Sequence, residues 1–158
     1  MLLELAAWLH EAGTLVNYQK HHRHSYHLIV HGNIRGLSPR QREIVAQVAR
    51  YHRKSEPKKK HSAFARLSDE DQQTVSRLSA LLRVADGLDR SHTKQIKDVE
   101  CSLHDHTVRL TVHSDTYPEI DIWGASQKGR LFEKVFDKDL ELVWQSTNEH
   151  ADGVISVR

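Results

Sequence analysis

His10 and Glu11 stand side by side in an apolar stretch, Trp8-Leu9-His10-Glu11-Ala12-Gly13, and about three helical turns later comes the run His21-His22-Arg23-His24-Ser25-Tyr26-His27. A lone acid, Asp86, follows in a later apolar segment. Imidazole is borderline-soft and carboxylate is hard, a mixture that suits Mn, Fe, Zn or hydrated Mg rather than a closed zinc cage. Sites of this kind keep open positions and activate water against phosphate esters. Neighbours on a helix diverge by about 100°, so His10 and Glu11 share an ion only if other helices supply the remaining ligands. His24 and Asp86 are the candidates for that role. The alternative reading leaves His10 as a hydrogen-bonded core histidine, Glu11 in solvent and His24 as a cap donor.

A second chemistry is written in the cations. Lys20, His21, His22 and Arg23 form one cluster; Arg50, His52, Arg53 and Lys54, followed by Lys58, Lys59 and Lys60, form another. His52 lies among three cations, which disfavours a metal and favours an anion. A stripe of Lys and Arg binds a flexible phosphate chain largely by releasing counterions. No interleaved aromatic platform accompanies the stripe, so nucleic acid is the weaker ligand candidate. The bland reading of Lys58 to Lys60 is a solvated basic loop.

Four motifs in order carry a resemblance: Leu-His-Glu-Ala-Gly at 9–13, His-His-Arg-His-Ser-Tyr at 21–26, Ala-Arg-Tyr-His-Arg-Lys-Ser at 49–55 and Leu-Leu-Arg-Val-Ala-Asp-Gly-Leu-Asp-Arg-Ser-His at 81–92. Together they resemble the C-terminal half of the exopolyphosphatase/guanosine pentaphosphate phosphatase family, over nearly the whole chain to about Trp144. The resemblance implies a helical module similar to the HD-type metal phosphohydrolases, residues 1–93, then a small α/β module, 94–145, and a tail, 146–158. It also implies that hydrolysis belongs to N-terminal actin-like domains with Gly-rich phosphate loops, which have no counterpart among the 7 glycines here. Against an HD-type module, the pair reads His-Glu instead of His-Asp, and the first metal histidine would lie upstream of Met1. Glutamate displaces the carboxylate by roughly a bond length, whereas ligand distances must hold within about 0.2 Å.

The expected function is therefore to handle polyphosphate or guanosine pentaphosphate, or to mediate dimerisation, beside phosphatase domains or a subunit that hydrolyses. No cofactor is required on this reading, and His10, Glu11, His24 and Asp86 hold at most a weakly bound Mg²⁺ or Mn²⁺. The competing expectations are an autonomous metal-dependent phosphohydrolase and a non-catalytic module docking on a partner subunit.

These residues need a scaffold. A chain of 158 residues with 38% hydrophobic and 28% charged residues has the make-up of a water-soluble protein of one domain or two small ones. It contains no apolar run of about 18 residues, and its apolar start lacks the basic head of a signal peptide. Cytoplasmic location is the default expectation. Its single cysteine, Cys101, cannot form an internal disulfide and is expected in a strand as a small core residue.

Leu2, Leu5, Ala6 and Leu9 predict a helix over 2–12 closed by Gly13. Starting at the first residue without an N-cap, it looks cut. A second helix is predicted over Tyr26–Val30, a third from Ser38-Pro39 with Ser38 as N-cap, and a last long one behind Ser68 that carries Asp86. Asp86, in a last helical turn, calls for a compensating cation, either Arg83, Arg90 or a metal. After Thr93 the period changes to 2. Val99, Cys101 and Leu103, then Val108, Leu110 and Val112, predict a hairpin. Ile120 and Ile122 predict a third strand, Ala125–Phe136 a helix, and Leu140, Leu142 and Trp144 a fourth strand. The fold class is α+β, an all-α module followed by a small antiparallel sheet covered by one helix, in the order ββ-β-α-β.

Overall fold

The computed structural model describes residues 1–148 and 154–157. It divides into two compact units, Met1–Leu82 and Arg83–Arg158.

The first unit is helical: α1 (Leu2–Leu9), α2 (His21–His31), α3 (Pro39–Tyr51), the single turn α4 (Ser62–Ala65) and most of α5 (Asp69–Leu88), which runs across the division. Ser38 caps α3 as expected: its side chain accepts from Gln41 N–H while the Gln41 side chain accepts from Ser38 N–H, and Pro39 opens the first turn. Ser68 begins α5 with a simpler cap, its hydroxyl accepting from Asp71 N–H at 3.1 Å. α3 is the central helix, buried continuously from Ile44 to Ala49. Ala6 of α1, Ile29 of α2, Phe64 and Val75 close around it.

α1 is shorter than predicted. It stops at Leu9, and the chain turns through a 3-10 segment, Ala12–Leu15, before α2. Gly13 does not cap α1; it is buried where the turn presses on α2, so that a Cβ there would lie 2.1 Å from His21 O and 2.5 Å from Ser25 N. Buried Ser25 fastens this approach, accepting from Gly13 N–H at 2.9 Å and donating to His10 O at 2.6 Å. α2 in turn begins at His21, a turn earlier than its apolar residues suggest, with Lys20 in the left-handed region at φ 58°. Histidines on its first turn hid the start.

The second unit holds the end of α5, a hairpin of β1 (Ile96–Leu103) and β2 (Thr107–Ser114), then α6 (Glu119–Phe136), β3 (Asp139–Ser146) and β4 (Val154–Val157). The sheet order is β1-β2-β3-β4. The class is α+β with a helix between strands, but two details of the expected sheet are corrected. β2 and β3 run parallel, because a helix joins them and carries the chain back to the edge it left. The strand expected at Ile120 and Ile122 is the first turn of α6: Pro118 starts it, Glu119 and Asp121 complement its dipole, and Ile122, Ala125 and Phe132 share its buried face. The expected tail contributes β4, antiparallel to β3.

β1 is an edge strand where the alternation predicted one, antiparallel to β2, but Val99 and Leu103 are exposed, and Cys101 is exposed rather than a core residue. β2 behaves as expected, burying Val108 and Val112 with Leu140, Leu142 and Trp144 of β3. At Gly87, a Cβ would lie 2.5 Å from Ala125 Cα, so the last turn of α5 meets α6 backbone to backbone. No helix among the described residues is long and apolar enough to cross a membrane.

Candidate functional site

The first unit gathers three arginines at one cleft, lined by His22, Arg23, Arg50, Tyr51, Arg53, Ser55 and His61. The first turn of α2 supplies His22 and Arg23, the last turn of α3 supplies Arg50 and Tyr51, and the following loop supplies the rest. Each position has a local cause. The Gly13 turn sets the start of α2, and α3, buried from Ile44 to Ala49, brings half-buried Arg50 to the cleft in its last turn. Arg50 lies over the rings of Tyr26 and Tyr51, with 5.4 and 5.6 Å from its guanidinium carbon to their centroids, a cation–π clamp that limits its motion. Tyr26 is itself fixed, donating to Glu43 Oε1 at 2.9 Å, where Gln47 also donates at 2.8 Å.

Arg23, Arg50 and Arg53 form no ion pair with any carboxylate among the described residues. His22 Nδ1 is buried there without a hydrogen-bond partner. Burial, then the charges of Arg53 and the neighbouring cations, hold the His22 imidazole down at about 4. His61 is lowered by burial and then by Arg50; its Nδ1 lies 2.9 Å from the Tyr51 hydroxyl, which burial keeps protonated. At neutral pH the histidines are thus neutral, and the positive charge of the cleft is arginine. The arrangement can hold an anion by charge-assisted hydrogen bonds.

Of the predicted anion residues, the structure brings His22, Arg23, Arg50 and Arg53 together. Lys20 and Lys54, both with positive φ, are exposed outside the lining, as are Lys58, Lys59 and Lys60. His21 and His52 lie inside the unit, 2% and 1% exposed. Tyr51 and His61 were missed. His61 directly follows the lysine run, which was a usable signal; Tyr51 read only as the end of an apolar face.

Of the predicted metal residues, His10, Glu11 and His24 belong to the first unit and Asp86 to the second. His10 ends α1, with its Nδ1 2.6 Å from Ala7 O, and Glu11 follows it, exposed. His24 is partly exposed on α2 and makes no side-chain hydrogen bond among the described residues. Asp86 lies in the second unit, where Lys128 of α6 forms an ion pair with it. Arg90 stacks on Trp123 at 5.1 Å.

The chain is thus of the α+β class, a helical unit with a cationic, histidine-lined cleft followed by a small sheet with one crossover helix. The family model of the Ppx/GppA phosphatase, domain III, matches residues 1–119, three quarters of the sequence, and the chain belongs to this family. The family itself is one of phosphatase-type hydrolases of the exopolyphosphatase kind.

Proposed function

We propose that the helical unit binds the phosphate chain of inorganic polyphosphate or of guanosine pentaphosphate at the Arg23–Arg50–Arg53 cleft, while hydrolysis is carried out by other domains or a partner subunit. The observation that carries this reading is the convergence of three arginines without carboxylates on a buried, unpartnered imidazole nitrogen. Like charges gathered in partly desolvated surroundings repel one another, and an anion relieves them all at once. Membership of a phosphatase family makes phosphate the fitting anion. The exposed Lys58, Lys59 and Lys60 extend the contact along a longer chain without specifying it.

Titration with long-chain polyphosphate across a salt series tests the proposal. The wild type should bind with log affinity falling steeply against log salt, and an Arg23→Gln/Arg50→Gln variant should lose roughly two from that slope, about one per arginine, with at least tenfold weaker binding at low salt. Competition with guanosine pentaphosphate separates the two phosphate chains. Salt-indifferent affinity, or a variant that binds as tightly as the wild type, overturns the reading.

A further inference from the structure

The sheet of the second unit ends on a strand that nothing covers among the described residues. β1 pairs only with β2, and from Lys97 to Leu103 every residue is exposed. His104 N–H donates to Thr107 O at 2.8 Å, which fixes the alternation of the antiparallel ladder: Ser102 and Glu100 turn their backbone groups to β2, whereas Leu103, Cys101 and Val99 turn theirs outward. The side chains of these three stand opposite Val108, Leu110 and Val112, on the sheet face where Gly129 of α6 meets Leu140. They extend an apolar face beyond the helix that covers it, and Val99 and Leu103 remain 38% and 74% exposed. An edge of this kind is a template for another strand.

We infer that β1 is a docking surface for β1 of a second copy of this chain, the two strands joined antiparallel about a two-fold axis through Cys101. The strand's own sequence selects that occupant and that register. With Cys101 opposite Cys101, Val99 meets Leu103 of the second copy and carries the apolar face across the axis. Asp98 then meets His104, Glu100 meets Ser102, and Lys97 comes level with Asp105. Each polar pair is complementary, and the two-fold symmetry makes each occur twice. The neighbouring registers are worse. An axis at Glu100 sets two carboxylates face to face, and an axis at Ser102 sets Val99 against Asp105. In the Cys101 register outward backbone groups meet outward backbone groups, giving about six hydrogen bonds, two for each hydrogen-bonded pair.

The start of the strand is guarded and its middle is open. A bulge falls between Ile96 and Asp98, and Asp98 Oδ1 accepts from Val99 N–H at 2.8 Å, occupying one outward donor. Bulges and charged side chains are how sheets blunt an edge. Further along, no hydrogen bond among the described residues occupies the N–H of Cys101 or of Leu103. His104 of the second copy offers Asp98 a replacement partner, which releases Val99 N–H to the intermolecular ladder. Pairing from Val99 to Leu103 is short, at the low end of interface sizes, so the dimer is weak and concentration-dependent. The interface lies in the second unit and uses no residue of the arginine cleft. It therefore stands or falls independently of phosphate binding.

Sedimentation equilibrium of the intact chain, under reducing conditions, over a concentration series and without polyphosphate, tests the inference. The expected result is a reversible monomer–dimer equilibrium. Cys101→Pro should weaken it at least roughly tenfold, because each copy loses one outward N–H, while the bonds from β1 to β2 stay intact. Leu103→Lys and Val99→Asp should each weaken it as well. The double variant should recover affinity, because the two new charges then face each other across the axis. Should Cys101→Pro fail to fold, these charge variants and hydrogen exchange on the wild type decide. In the wild type the amides of Cys101 and Leu103 should gain protection as concentration rises, while those of Glu100 and Ser102, already bonded to β2, should change little. A chain that stays monomeric into the millimolar range, a dimer indifferent to Cys101→Pro, a double variant no tighter than the single ones, or Cys101 and Leu103 amides that ignore concentration would each overturn it.

Discussion

Around α2 and α3 three arginines converge on one cleft with no carboxylate partner among the described residues, whereas in the second unit three cations are paired with acids. Lys128 pairs with Asp86, Arg109 with Glu141 at 2.8 Å and Lys97 with Asp115 at 2.5 Å. Buried Asp121 is satisfied too, accepting from Ser91 N–H at 2.7 Å, Ser91 Oγ at 2.8 Å and Gln95 Nε2 at 3.1 Å. The contrast does not come from a shortage of acids in the first unit, since Arg40 of α3 is held in a two-pronged pair with Asp71 of α5 at 2.7 to 3.0 Å. At the cleft three arginines face one another without that neutralisation. An open cluster of like charges destabilises a fold, so its retention points to a ligand.

The largest expected effect breaks the satisfied side. Asp121→Ala removes a buried carboxylate that holds the chain after α5 against α6, leaving the Ser91 and Gln95 donors unpaired. The loss should be about 3 kcal/mol in urea unfolding followed by circular dichroism. A loss below about 1 kcal/mol would mean that water replaces the carboxylate and that the pairing in the second unit matters little to stability.

A smaller effect sharpens the open side through pH. The His22 imidazole lies at about 4 in the fold, below its unfolded value of about 6.5. Between these values the unfolded chain binds more protons, so stability is fully present above about 6.5 and is lost as pH falls towards 4. His22→Gln should remove roughly 1–2 kcal/mol of that acid loss, less than the full shift implies because the ring is only partly buried. Added polyphosphate should reverse the trend, because an anion beside His22 favours the imidazolium; binding should then tighten as pH falls through this window. A pH profile unchanged by His22→Gln would place the titration elsewhere.

The smallest effect concerns the loop. Replacing Lys58, Lys59 and Lys60 with Ala should change stability by no more than about 0.5 kcal/mol, because all three are exposed. The same change should flatten the salt dependence of polyphosphate binding without abolishing the binding. Complete loss would move the recognition site from the cleft to the loop.

Local rules were enough for much of this molecule. Ser38-Pro39 announces α3 because a side-chain oxygen and a preset φ satisfy a helix start within four residues, and Ser68 begins α5 with a simpler cap. The hairpin was legible in Val108, Leu110 and Val112, and the four motifs pointed to the family. The arginine cleft was half legible, because density of cations along the chain marks a region without saying which side chains converge. Tertiary structure alone decided the rest. A short alternation at Ile120 and Ile122 suits a strand or a helix turn equally, and packing against β3 chose the helix. The parallel pairing of β2 and β3 follows from that helix. Above all, spacing could not distinguish His22, which opens on the cleft, from its neighbour His21, whose Nε2 meets that of His52 across 31 residues of sequence. Successive residues on a helix point about 100° apart, so only the packing of α2 on α3 determines which imidazole meets solvent and which meets another imidazole.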